Sequence, residues 1–150
     1  MTPGFDISFT NESWIDEGTP FRGLRLTLQD HHEGDQANLT HWSAENYERQ
    51  WLYELNEIVN SRSKGALITS IQDPIHAFQV FVWTMWKDND QIRFQNRILF
   101  MLSGIQNFDP VHVCDHIGEY KSHDEEGQRL SEWVVPLTAI QDFIANSTLH

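Results

Sequence analysis

Apolar residues at every second position open the chain. Phe5, Ile7 and Phe9 share one face of an extended segment, and Leu24, Leu26 and Leu28 repeat that period. Polar residues 11–20 join the two segments, and residues 29–38, with Asp30, Glu33, Gly34 and Asp35, read as a turn. The spacing then lengthens. Over residues 44–60, Tyr47, Trp51, Leu55 and Ile58, joined by Leu52 and Val59, form one stripe at helical spacing. Arg49, Gln50, Glu54 and Glu57 take the opposite, polar side. Ser43 suits an N-cap and Glu45 complements the helix dipole, while Ser61-Arg62-Ser63-Lys64-Gly65 closes the helix.

Strand patterns come next. Residues 66–71 form a short buried run closed by Asp73-Pro74. Residues 78–86 are apolar on both faces, as in a central strand covered on both sides. Asp88-Asn89-Asp90 turns that strand into residues 91–102, the pattern of a hairpin. A loop-like stretch with Asp109-Pro110 and Asp124-Glu125-Glu126-Gly127 precedes a last strand over residues 131–135. Pro136 then opens a short helix carrying Leu137, Ile140, Phe143 and Ile144. Strands and helices are segregated, so the expected fold is α+β, with antiparallel sheets and one long and one short helix. With 150 residues and no repeat or linker, residues 1–150 read as a single domain.

Composition narrows the function. The chain has 9 Phe, 6 Trp and 3 Tyr, which suits a packed core and argues against disorder. It carries no apolar run of the ~18 residues that cross a bilayer, no signal-peptide pattern and a single cysteine, so the cytoplasm is the expected location. Its formal charge is −12. The acids concentrate in residues 1–40 and 109–132, whereas residues 41–108 are nearly balanced. Nucleic acid and anionic membranes would be repelled by that surface, and a basic protein attracted.

Candidate chemistry is sparse. In His112-Val113-Cys114-Asp115-His116, an extended backbone would put two imidazoles and a thiol on one face, as zinc ligands require. No CxxC or HExxH pattern supports a metal there, and acids around Cys114 oppose an activated thiolate. A half-buried structural cysteine is the expected reading. His31-His32 reads as a solvated pair in an acidic turn. Trp83, Trp86 and Phe94 could stack bases, but no basic groove accompanies them, so they are expected in the core. Neither a cofactor nor a catalytic residue is expected, and the chain reads as a binding protein.

An ordered series of motifs names a family. Trp42-Ser43-Ala44-Glu45-Asn46-Tyr47 is followed by Gln50-Trp51, Ala66-Leu67-Ile68-Thr69-Ser70 and Asp73-Pro74. Gln95-Asn96-Arg97-Ile98-Leu99-Phe100 and Asp124-Glu125-Glu126-Gly127-Gln128-Arg129-Leu130-Ser131-Glu132-Trp133 complete it. Over residues 42–143 the chain resembles the immunity proteins of contact-dependent growth inhibition systems, particularly those of Whirly-like fold. Residues 75–79 and 118–120 depart from the pattern and are expected where partner specificity is set. The resemblance implies a non-catalytic inhibitor that binds the toxic C-terminal domain of a delivered effector, commonly a nuclease. Charge then places the contact on Asp115, Glu119, Asp124, Glu125 and Glu126, helped by the turn holding Asp88 and Asp90. A regulatory module with a non-toxin partner, and a metal or cysteine site at Cys114, are the alternative classes.

Overall fold

A computed structural model describes residues 4–72, 78–101 and 110–147. The Asp73-Pro74 break, most of residues 75–79, Leu102 and Asp109 lie outside the described residues. The order is β1 (Phe5–Asp16), β2 (Thr19–Leu28), β3 (His31–Asn38), α1 (Ala44–Asn60), β4 (Lys64–Gln72), β5 (Phe78–Asp88), β6 (Gln91–Met101), a 3-10 segment (Pro110–His116), β7 (Trp133–Pro136) and α2 (Leu137–Ser147). Two antiparallel sheets result, one ordered β1-β2-β3 and the other β4-β5-β6-β7. The α+β architecture with one long and one short helix is therefore as the sequence pattern expects.

One apolar cluster joins both sheets. Phe5, Ile7, Leu24, Leu26 and Leu28 of the first meet Met85, Ile92 and Phe94 of the second, with Tyr47, Trp51, Leu55 and Ile58 of α1 and Ile140 of α2. Phe5 stacks on Phe94 with ring centroids 5.6 Å apart and forms a T-shaped pair with Phe143 of α2. β5 is buried on both faces: Val80 and Val82 as well as Trp83 and Met85. Alternation along a strand sends these pairs to opposite sides, so the expectation for residues 78–86 holds. Trp83 and Phe94 are core residues, and Trp86 is nearly so.

Three local expectations are overturned. Residues 31–38 are a strand, not a turn; the two-residue connection Gln29-Asp30 already reverses the chain, with Gln29 at φ 60°. Pairing to β2 fixes that segment despite its polar residues. Of the pair read as solvated, His31 is half-buried and stacks on Trp133 at 4.4 Å, whereas His32 stays exposed, its Nδ1 sharing a hydrogen bond with Thr27 Oγ1. Residues 11–20 are not a loop but the outer part of the β1–β2 hairpin.

The third correction concerns α1. Ser43 caps it as expected, accepting the Asn46 N–H at 3.3 Å. Gln50 and Glu54, however, are buried. They face the outer edge of β4, which no strand among the described residues covers. Gln50 Nε2 donates to the Ala66 carbonyl at 2.8 Å, and its Oε1 accepts the Ile68 N–H at 2.9 Å. Glu54 Oε1 accepts the Ala66 N–H at 3.0 Å, and Trp51 Nε1 donates to the Ile68 carbonyl at 2.7 Å. A bulge between Ile68 and Ser70 shifts the register, after which the Ile71 N–H donates to the Tyr47 hydroxyl at 3.0 Å. Lys64 and Gly65, read from sequence as the helix stop, belong to β4.

Replacing Gln50 by leucine keeps the side-chain volume but strands a buried N–H and a buried carbonyl. The expected loss is about 2–4 kcal/mol of unfolding free energy, measured by urea denaturation. An unchanged midpoint and slope would show that this edge is held by something else.

Candidate functional site

The acidic residues singled out by charge divide by what they touch. Asp88, at the end of β5, accepts from Arg93 of β6 at 3.0 Å. The same guanidinium donates to Glu132 at 3.0 Å and lies 5.5 Å over the Tyr120 ring. Glu132 also accepts from the Tyr120 hydroxyl at 2.7 Å and from Gln95 Nε2 at 3.2 Å. The turn at residues 88–90 and the segment 118–132 are thus brought together by one arginine. Asp90 is exposed, and its carbonyl accepts the Leu137 N–H at 2.8 Å, tying the turn to the start of α2.

Asp124 has a different role. Its Oδ1 accepts the N–H groups of Glu126 and Gln128, both at 2.9 Å. Its own N–H donates to the Gln128 carbonyl, and Gly127 takes a positive φ of 83° to close the loop. Asp124 therefore holds the turn whose tip displays Glu125 and Glu126, both exposed. Glu119 is also exposed and borders a cavity of about 160 Å³ with Arg97, Lys121 and the Trp86 ring. Asp115 is exposed on the 3-10 segment, at the other end of the acidic stretch.

Electrostatics separate the ordering carboxylates from the displayed ones. Burial pushes Glu132 up, but the hydrogen bonds from Tyr120, Gln95 and Arg93 outweigh it and hold the carboxyl below its ordinary 4.5. Glu54 moves the other way. Burial raises it, only partly offset by the Ala66 N–H and Arg62, whose guanidinium lies 3.1 Å away. Arg93 is not singled out by sequence reasoning, and Gln95 and Tyr120 enter it only within longer motif stretches, with no role of their own. The available signal is alternation in β6, where Arg93, Gln95 and Arg97 share the face opposite Ile92 and Phe94.

The Cys114 cluster is not arranged as the extended reading requires. The backbone over residues 110–116 is 3-10, so the extended alignment of His112, Cys114 and His116 is not adopted. Among the described residues, no three His, Cys, Asp or Glu side chains are placed to share an ion. Cys114 Sγ donates to the Lys64 carbonyl at 3.2 Å and accepts from Arg62 at 3.5 Å. Burial, followed by the Glu54 charge, pushes the thiol up, which disfavours a thiolate nucleophile. The half-buried structural reading of this cysteine stands. A second acidic feature lies elsewhere: a groove of about 630 Å³ between β1, α1 and α2. It is floored by Phe5, Ile7 and Trp51 and bordered by Asp6, Glu48 and Asp142.

Comparison with known proteins agrees with this fold. The CdiI N-terminal domain family matches residues 37–143. The immunity protein CdiI of Enterobacter cloacae subsp. cloacae is 26% identical over 139 residues, spanning 93% of this chain and 95% of that protein. A chain of the solved CdiA-CT/CdiI toxin and immunity complex from Enterobacter cloacae superposes with a TM-score of 0.86. The two are 24% identical, over 97% of this chain and 99% of that one. At that identity the likeness shows the shared fold.

Glu132 sets a pH dependence. Its folded value lies below its ordinary one, so between the two the unfolded chain binds more protons and stability rises with pH. Its contribution is complete above the ordinary value of 4.5 and is lost as pH falls through the depressed value. The stability difference between wild type and Glu132→Gln, about 1–2 kcal/mol at pH 7, should therefore vanish in strong acid. Urea titrations at a series of pH values measure it, and a difference that does not change with pH contradicts this role.

Proposed function

The chain belongs to the CdiI N-terminal domain family, and on that premise we propose that it neutralises a contact-dependent growth inhibition toxin by covering a basic surface of the toxin domain. The observation that carries the reading is the set of carboxylates displayed on ordered backbone: Asp90, Asp115, Glu119, Glu125 and Glu126 are all exposed. Arg93 and Asp124 fix the backbone around part of this set. A nuclease toxin needs cationic side chains to hold its phosphate substrate. An acidic surface of fixed shape competes for those cations, and electrostatic steering accelerates the encounter. An interface of standard size would bury ~1,600 Å² in total. The reading places the encounter in the cytoplasm, where a delivered nuclease would meet its substrate. Among the described residues no helix is long and apolar enough to cross a membrane.

The roles of the acids are unequal within this reading. Asp88 and Asp124 are committed to Arg93 and to the turn, so they support the surface rather than present it. Glu125 and Glu126 extend from that turn into solvent and, in this reading, meet the cations.

The test is co-expression with the toxin domain encoded beside this gene, followed by growth rescue and measured binding kinetics. Wild type is expected to bind and rescue; absence of both, with both proteins folded, sinks the function. Reversing Asp115, Glu119, Glu125 and Glu126 to lysine together, and sparing Asp124, should slow association about tenfold and flatten its salt dependence. Unchanged kinetics would move the contact elsewhere on the protein.

A further inference from the structure

β1 does not run straight. Residues 10–12 stand opposite the single residue Gly23, between the pairs Phe9–Leu24 and Ser13–Arg22. An insertion of this kind bends a strand and re-aims the residues beyond it. Here it is pinned by polar bonds. Arg22 Nε donates to the Thr10 carbonyl at 2.9 Å, and Thr10 Oγ1 donates to the Gly23 carbonyl at 3.3 Å. The same Oγ1 accepts the Glu12 N–H at 3.2 Å. Glycine is required at position 23, since a Cβ there would lie 2.7 Å from Thr10 Oγ1. Beyond the bulge the hairpin is stiff. Trp14 stacks on its cross-strand partner Phe21, and the turn Glu17-Gly18 closes it with φ of 50° and 83°, the two positive values that a tight two-residue hairpin needs.

This stiff arm is dressed unlike a solvated loop. All of residues 11–18 are exposed, yet they include Trp14 at 38% and Ile15 at 74%. Neighbours on a strand point to opposite faces, so the arm offers apolar surface on both sides. A flat partner would cover one of these and leave the other in water; a cleft covers both. The charges of residues 11–18 are Glu12, Asp16 and Glu17, with no base among them. A cleft that accepts the arm therefore has cationic walls.

We propose that the outer β1–β2 hairpin inserts into a basic cleft of the toxin domain, Trp14 and Ile15 contacting opposite walls while Glu12, Asp16 and Glu17 meet the cations that line it. This rests on the toxin-binding reading above and adds a contact separate from the 115–126 surface. Tryptophan is the residue type most often found to dominate binding when it is desolvated at an interface.

The experiment measures affinity of the full chain for the toxin domain encoded beside its gene. The variants are Trp14→Ala, Trp14→Phe, Ile15→Lys and the triple reversal of Glu12, Asp16 and Glu17 to lysine. Insertion predicts that Trp14→Ala and Ile15→Lys each weaken binding at least about tenfold. Trp14→Phe, which keeps the stack on Phe21, should fall between wild type and Trp14→Ala. The triple reversal should slow association. Ile15 lies largely in water, so Ile15→Lys tests the contact even where Trp14→Ala loosens the hairpin. Sensitivity of one face alone, or of neither, overturns insertion while wild-type binding leaves the immunity function standing. Absence of wild-type binding overturns both. Loss of self-association in either variant, with toxin affinity unchanged, assigns the arm to a second copy and also overturns the proposal.

Discussion

Along the outer edge of β4, backbone groups that another strand would ordinarily bind are held by side chains of α1. In an antiparallel sheet every second residue of an edge strand turns its N–H and C=O outward. At Ala66 and Ile68 these groups meet Glu54, Gln50 and Trp51, and the Lys64 carbonyl meets the Cys114 thiol. Each buried backbone group left without a partner costs about 1–3 kcal/mol. Their sum approaches the net stability of a whole domain, about 5–15 kcal/mol. The closure also removes an open edge on which another chain could add a strand.

The same contacts set how the sheets abut. Tyr47 accepts from the Ile71 N–H of β4 and donates to the Asn38 carbonyl at the end of β3, at 2.6 Å. Its burial pushes the phenol up to about 12, so it stays a donor at any ordinary pH. The Asn38 N–H donates to Ser70 Oγ just past the β4 bulge, and Trp83 Nε1 donates to Asp35 of β3. One helix position and one bulge therefore carry the register from the second sheet to the first. Arg93 plays the corresponding part on the far side of the second sheet, drawing Asp88 and Glu132 onto one cation.

The legible parts of the sequence were those where one force dominates. Helix α1 follows from its apolar stripe and from Ser43, and β5 from apolar residues on both faces. The illegible parts were those where a polar residue is buried by a partner remote in sequence. Gln50 and Glu54 sit on the polar side of α1 and read as solvent-facing until the edge of β4 is known. Residues 31–38 read as a turn because Glu33, Gly34 and Asp35 are turn formers, but pairing with β2 outweighs local preference. Within the acidic segment 115–126, charge alone does not divide one carboxylate from another. Only geometry separates Asp124, which bonds its own turn, from Glu125 beside it.

A chain of net charge −12 repels itself, and that repulsion opposes folding. Two arrangements limit the cost. Some acids are neutralised in place: Glu54 by Arg62, and Asp88 and Glu132 by Arg93. Others lie at the hairpin tip and on the 115–126 stretch, where water screens them. Exposure lowers the repulsion, and it also leaves a carboxylate free to meet a cation on another molecule. Ordering the backbone beneath the acids, by Asp124 in one place and by Thr10 and Arg22 in the other, lessens the entropy to be lost on binding. The features that make so acidic a chain foldable are therefore the ones on which the proposed binding of a basic partner rests.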